Sequence, residues 1–362
     1  MMAGFYLPHI FCSFSPVCFL YRPHKTIAMK ILRFCWIIVP LFVQCATAQQ
    51  QTLQASLSQQ VSHWLSQLSQ DQRQKAQLAF TDPERLRWGN EPYNMHPRKG
   101  LTLDEMTDDQ KKEVHKILQE VLSEQGYLKV VNVLRLDDWL KKNYYHAPDD
   151  QYYGDGLYWM TVFGDPAGSK WGWRFEGHHL SLSVTVAPSG ITVTPFFLGT
   201  HPSVIPAGPY AGTENLFTET QAAWQLLQSL DAGQKKQAVL ADNEPGNADV
   251  LAQTGNEPFM KKMSGIPVSS LNASQQKILQ AILDAYIQNL TPALAEKYAQ
   301  EIKQQEWPHM YFAWIGGTTP GKAFYYRIQA PDGFIIEYCS RMNDVHHIHT
   351  LWRIVPQDFG GK

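Results

Sequence analysis

The chain has 362 residues, a formal net charge of −2, 44% hydrophobic residues and 18% charged ones. That length and apolar content can bury a self-supporting core, which excludes a disordered, collagen-like or disulfide-stapled miniprotein. The mildly acidic balance, without basic tracts, argues against nucleic acid as a partner.

In chain order, the first informative stretch is MKILRFCWIIVPLFVQCATAQQ from Met29. Lys30 and Arg33 make a basic start, Phe34 to Val43 an apolar run, and Ala46-Thr47-Ala48 a small-residue cleavage site before Gln49, the pattern of a secretory signal. Residues 1–48 are therefore expected to be a leader with its true start at Met29, and the protein to be secreted or periplasmic. The apolar run falls short of the roughly 20 residues a bilayer span needs, so no transmembrane anchor is expected after processing. Cleavage removes Cys12, Cys18, Cys35 and Cys45 and leaves Cys339, which excludes an intramolecular disulfide and reads as a small buried apolar residue.

Beyond the leader the chain says nearly the same thing twice. GNEPY at Gly89 recurs as GNEPF at Gly255, and GLTLDEMTDDQKKEVHKILQEVL from Gly100 aligns without gaps to GIPVSSLNASQQKILQAILDAYI from Gly265. Val114, Ile117, Leu118, Val121 and Leu122 form a helical stripe matched by Leu279, Ile282, Leu283, Tyr286 and Ile287. Thr107 and Asn272 stand at the corresponding N-cap positions. Upstream, LSQDQRQKA from Leu68 parallels LDAGQKKQA from Leu230; downstream, VFGDPAGSKWGWRF from Val162 parallels WIGGTTPGKAFYYRI from Trp314, a turn followed by an aromatic strand. The expected fold class is α+β: a tandem internal duplication, each half a pair of helices followed by antiparallel strands, packed as one pseudo-two-fold globule. The halves span 49–200 and 213–362, joined by the Pro- and Gly-rich loop 201–212, which carries His201 and Tyr210 and is placed to close over a pocket.

Two histidine-rich stretches break the repeat. The first is WGWRFEGHHLSLSVTV from Trp171. Read as one strand, its alternation places Arg174, Glu176 and His178 with Leu180, Leu182 and Val184 on an inward face, and His179 outward with Ser181 and Ser183. Such an inward trio is either a buried ion pair beside a core histidine or the wall of a pocket shared with Trp171 and Trp173. The second stretch is RMNDVHHIHTLWR. On a strand, His347 and His349 share one face about 6 to 7 Å apart at Cα, an arrangement that chelates a transition metal, while His346 faces away.

If the two stretches converge, His178 or His179 with His347 and His349 supplies three nitrogen ligands and leaves an open position for zinc, copper or iron. Asp344 or Glu176 would then be a fourth ligand or general base, and Arg174 would hold an anionic group. Trp171, Trp173, Trp352 and Arg353 are ligand-binding candidates for a small molecule or saccharide. No G-x-S-x-G, P-loop, H-E-x-x-H or G-x-G-x-x-G pattern occurs.

WGWRFEGHHLSLSVTV, TPFFLGTHP, YYRIQAPDGFIIEY and NDVHHIHTLWR together resemble a family designated domain of unknown function 3500, over nearly the whole chain beyond the leader. The resemblance implies relatives with the same landmarks, often behind signal peptides, and carries over no activity. From the residues themselves the expected function is a metal-assisted hydrolase or oxidoreductase with a pocket between the halves. The competing reading is a non-catalytic binding module in which Trp171, Trp173, Trp314 and Trp352 stack on a sugar or aromatic ligand.

Overall fold

A computed structural model describes residues 51–143, 152–241, 249–253, 261–341 and 344–362. The expected leader and the GNEPF motif lie outside the described residues. Helix α1 covers 51–66, followed by α2 (Gln70–Ala76) and the short strand β1 (Gln77–Leu78). Strand β2 (Leu101–Thr102) precedes α3 (Asp108–Val121) and α4 (Glu124–Asn143). Strands β3 (Tyr158–Phe163), β4 (Trp171–Gly177), β5 (Leu180–Ala187), β6 (Gly190–Thr192) and β7 (Phe196–Thr200) come next. The chain then forms α5 (Phe217–Ser229), α6 (Ala232–Ala238), β8 (Val239–Ala241), β9 (Ile266–Pro267), α7 (Ala273–Ile287) and α8 (Pro292–Glu301). Strands β10 (Tyr311–Gly316), β11 (Phe324–Gln329), β12 (Phe334–Arg341) and β13 (Asp344–Ile354) close it.

The fold is mixed α+β, built on one sheet whose path runs β1-β3-β4-β5-β7-β13-β12-β11-β10-β8. Strand β1 lies parallel to β3 and β8 parallel to β10, while β2 and β9 pair antiparallel with β3 and β10. At the middle of the sheet β7 and β13 run antiparallel, with His349 opposite Gly199 and Leu351 opposite Phe197.

Local chemistry explains the helices. Thr107 Oγ1 accepts the Gln110 N–H while Gln110 Oε1 accepts the Thr107 N–H, a reciprocal cap that satisfies two otherwise orphaned donors. Asn272 does the same for α7, its Oδ1 accepting from Ser274 and Gln275. Both helices bury the expected stripes, Val114 to Leu122 and Leu279 to Ile287. The two helix ends meet at an isolated Leu122–Leu290 bridge, where the Ser123 N–H donates to Asn289 O. Gly126 permits that approach, since a Cβ there would lie 1.9 Å from Asn289 O.

Alternation divides the sheet. Trp171, Trp173 and Phe175 of β4, Leu180, Leu182 and Val184 of β5, Tyr326, Tyr338 and Trp352 face the helices and belong to the main core. The opposite face carries a smaller cluster with Trp88, Phe197, Ile335 and Leu351, together with most of the buried charges.

One expectation is corrected here. Residues 171–186 are not one strand: Gly177 pairs with Leu180, so the chain reverses at His178-His179 and β4 runs back along β5. Reversal changes the phase of the alternation. Arg174 lies opposite Ser183 and Glu176 opposite Ser181, so Arg174 and Glu176 share the face of the serines and not that of Leu180, Leu182 and Val184. His178 belongs to the turn and to neither strand face.

Candidate metal centre

The site forms where the turn between β4 and β5 meets the β7–β13 pairing. His179 has φ +63°, a left-handed conformation uncommon for a residue with a Cβ. Tertiary hydrogen bonds hold it there: its N–H donates to Asn90 O at 2.9 Å and its carbonyl accepts the Gly199 N–H at 2.7 Å. Gly199 also makes room for the ring, because a Cβ at that position would lie 3.0 Å from His179 Cδ2.

Strand β13 brings the other two imidazoles. His347 and His349 share a face, as the H-x-H spacing requires, and His346 points to the other side, where Nδ1 lies 3.0 Å from Ser203 Oγ. His347 Nε2 is 2.8 Å from His179 Nε2 and 3.0 Å from His349 Nε2. One ring nitrogen from each of His179, His347 and His349 lies within 4.8 Å of the other two. A tetrahedral ion with metal–nitrogen bonds of about 2.0–2.1 Å holds its nitrogens about 3.3–3.4 Å apart, so small rotations of the rings would accommodate one.

Carboxylates brace the surrounding rings. His349 Nδ1 contacts Asp249 Oδ1 at 2.7 Å, which directs the opposite nitrogen into the cluster. His178 Nδ1 contacts Asp137 Oδ1 of α4 at 2.6 Å, and its ring stacks on His179 with centroids 3.7 Å apart. His201 Nε2 contacts Asp344 Oδ2 at 2.8 Å, its ring parallel to that of His347 at 4.5 Å. Burial, and then the charge of the neighbouring histidines, pushes His179 and His347 well below the usual imidazole range. Both are therefore neutral, the form in which a histidine ligates a metal. The Asp249 carboxyl is opposed by burial, yet the charge of His349, its hydrogen bond and the Val250 N–H hold it below the ordinary range.

Of the residues singled out from the sequence, the structure brings together His179, His347 and His349, with His178 and Asp344 beside them. His178 stacks on His179 and contacts Asp137 through Nδ1, and it is not among the three residues whose nitrogens converge within 4.8 Å. Among the described residues, Asp344 meets the cluster through His201. Arg174 and Glu176 form a separate buried network: Arg174 Nε lies 2.6 Å from Glu176 Oε1, Arg174 Nη2 lies 3.1 Å from Glu84 Oε1, and Arg98 Nε is 3.8 Å from Glu176 Oε2. Among the described residues, no hydrogen bond or ion pair joins Arg174 or Glu176 to the histidines.

Trp171, Trp173, Trp314 and Trp352 are covered by protein in the main core, Trp352 edge-on to Tyr298 at 4.7 Å. With their faces taken, none of the four presents a platform to a ligand. Arg353 is bound to Asp358 through Nε and Nη2 at 2.8 and 2.7 Å and also donates to Ala252 O. Cys339 is buried, as expected.

Sequence reasoning missed Asp137 and Asp249. Asp137 left a signal, a carboxylate on the buried stripe of α4 with Val130, Val133 and Leu140. Asp249 left none, being 100 residues from the histidine it braces.

The chain is thus a mixed α+β protein with a three-histidine cluster at the centre of its sheet. Residues 50–361 match the family described as Protein of unknown function (DUF3500), and the chain belongs to that family. Neither the curated proteins nor the solved structures compared with the chain contain a match.

Proposed function

We propose that His179, His347 and His349 bind one divalent transition metal and that the protein is a metal-assisted enzyme of hydrolytic or oxidative type. The observation that carries this reading is the convergence of three imidazole nitrogens within 4.8 Å, two from β13 and one from the turn that meets its pairing with β7. Three protein ligands leave coordination positions for water and substrate, which is the composition of catalytic rather than structural sites. When bound, zinc supplies Lewis-acid activation of water or a substrate oxygen, and copper or iron adds redox chemistry. Asp249 fixes the tautomer and orientation of His349, while Asn90 and Gly199 fix the turn that carries His179. His178 and His201, each braced by a carboxylate, pack against the ligand rings and restrict their rotation.

Elemental analysis of the purified protein tests this reading. About one equivalent of zinc, copper or iron per chain is expected, falling to background in the His347→Ala/His349→Ala variant. Metal at background in the native protein after reconstitution with each ion in turn would remove the proposal.

The same reading places the protein outside the cytoplasm and derives its halves from one ancestral unit. Export is supported by the signal-like stretch from Met29 and by a family match that starts at residue 50, just beyond the expected cleavage after Ala48. N-terminal sequencing of exported protein should begin at Gln49, and an intact Met29 there would refute cleavage. Duplication is supported by the aligned helices and by the matching parallel pairs β1–β3 and β8–β10 on either side of the β7–β13 junction. A solved structure whose halves failed to superpose strand for strand would exclude it.

A further inference from the structure

The histidine trio opens to solvent at His347. His179 and His349 are buried, whereas His347 is half-buried, and the neighbouring Asp249 and Asp344 carboxylates are 29% and 32% exposed. A ligand on its way to the centre passes these groups. Arg341, the last residue of β12, belongs to the same opening. Cys339 lies opposite His349 across the β12–β13 ladder, so the two share a face, and alternation along β12 carries Arg341 to that face beside His347. The pairing slips after Ser340, and Arg341 lies opposite Asp344, a bulge of the kind that re-aims side chains beside sites.

The charge of Arg341 reaches the centre. Burial, then His349 and His201, and after them Arg341 lower the basicity of His347. For Asp249, burial raises the carboxyl, while His349, the Val250 N–H and then Arg341 hold it down. Yet among the described residues the half-buried Arg341 side chain forms no hydrogen bond or ion pair. Arg174 and Arg353, on the same face of the sheet, are held by Glu84 and Glu176 and by Asp358. Arg341 is thus placed for the part that the sequence suggested for Arg174, that of holding an anionic group.

Given the metal reading above, on which this role rests, we propose that Arg341 holds the carboxylate of the substrate, so that the centre serves small carboxylic acids whose reacting oxygen turns to the metal. A guanidinium presents parallel N–H donors that match a carboxylate in two bonds, and it is more weakly hydrated than an ammonium. Charge at the opening selects the ligand. A divalent ion and Arg341, set against Asp249 and Asp344, leave one positive charge, which a monocarboxylate neutralises. A phosphate dianion would exceed that charge and meet both aspartates, and a neutral ligand would gain nothing from the guanidinium.

The test uses the full chain loaded with cobalt(II), whose d–d absorption reports ligands entering the coordination sphere. Glycolate, lactate and 3-hydroxybutyrate are titrated beside their primary amides, with inorganic phosphate as the dianionic comparison. At least one carboxylate is expected to bind more tightly than its amide and than phosphate. Arg341→Gln should weaken that carboxylate about tenfold or more, as the loss of a charge-assisted pair requires, and leave the amide within about twofold. Metal content and thermal stability should stay at wild-type values, and Arg341→Lys should retain part of the carboxylate affinity. A chain that binds no metal would overturn both this role and the metal reading. Bound cobalt with no carboxylate taken up, with phosphate or an amide favoured, or with carboxylate affinity indifferent to Arg341→Gln would overturn this role and leave the metal reading standing.

Discussion

Asp249→Asn separates a brace from a ligand. Among the described residues, Asp249 touches the cluster through the 2.7 Å contact to His349 Nδ1, and its side chain is 29% exposed whereas that of His349 is 2% exposed. Loss of such a carboxylate partner costs metal affinity about 10- to 100-fold, or about 1.4–2.7 kcal/mol. Partial exposure lets water take over some of the carboxylate's role, and Asn can still accept through its Oδ1. The expected loss is therefore in the lower half of the range, about 10- to 30-fold. Competition against a chromophoric chelator at fixed pH measures it.

Asp344→Asn is the matched control, because Asp344 braces His201, which is outside the trio. It should change affinity by less than about threefold. An unchanged affinity in Asp249→Asn, or an equal loss in Asp344→Asn, would refute the assignment of His349 as a braced ligand.

Other substitutions probe the surroundings. Asp137→Ala leaves His178 Nδ1 and the Gly154 N–H without their buried acceptor, so the unfolding free energy should drop by about 2–4 kcal/mol in denaturant titration. Metal affinity should stay within about threefold, and a larger loss would make His178 a ligand after all. Gly199→Ala puts a methyl 3.0 Å from the His179 ring and 3.1 Å from Ile348 O. It should cost about 1–3 kcal/mol and weaken metal binding with it, and wild-type values for both would show that the ring does not depend on that space. His96 gives a pH signature: burial, then the nearby Arg98, Arg87 and Arg174, lowers its pKa from 6.5 to about 4. The neutral form is favoured on folding, so this contribution is complete above pH 6.5 and is lost as pH falls from 6.5 towards 4. Solvent screening of a half-buried ring limits it to about 1–2 kcal/mol, and His96→Gln should flatten the stability profile in that window.

The helices were legible because their signals are local. A stripe such as Val114, Ile117, Leu118 and Val121, opened by a reciprocal Thr107–Gln110 cap, specifies a helix and its buried face within one stretch of chain. His347 and His349 were legible for the same reason, since alternation along β13 alone puts them side by side. The turn at His178-His179 was not. Two-residue hairpin turns announce themselves by Gly or Asn, which tolerate positive φ, and here that conformation falls on a histidine. Asn90 and Gly199 sustain it from other parts of the chain, so no rule applied to the stretch itself could find it.

Missing the turn reversed the phase of the strand and moved Arg174 and Glu176 to the wrong face; their buried ion pair had been one of two readings open from the sequence. The local rule fails at a residue whose backbone strain costs of order 1 kcal/mol or more and is retained only because neighbouring structure imposes it. An unstrained turn would need Gly or Asn at position 179 and would remove an imidazole from the trio. Strain at His179 and the convergence of the three nitrogens are thus one feature, and Gly199 is its complement on the facing strand. His179→Gly gives the combination that distinguishes this account: relief of the strained backbone together with loss of metal binding. A His179→Gly variant that kept full metal affinity would break the link.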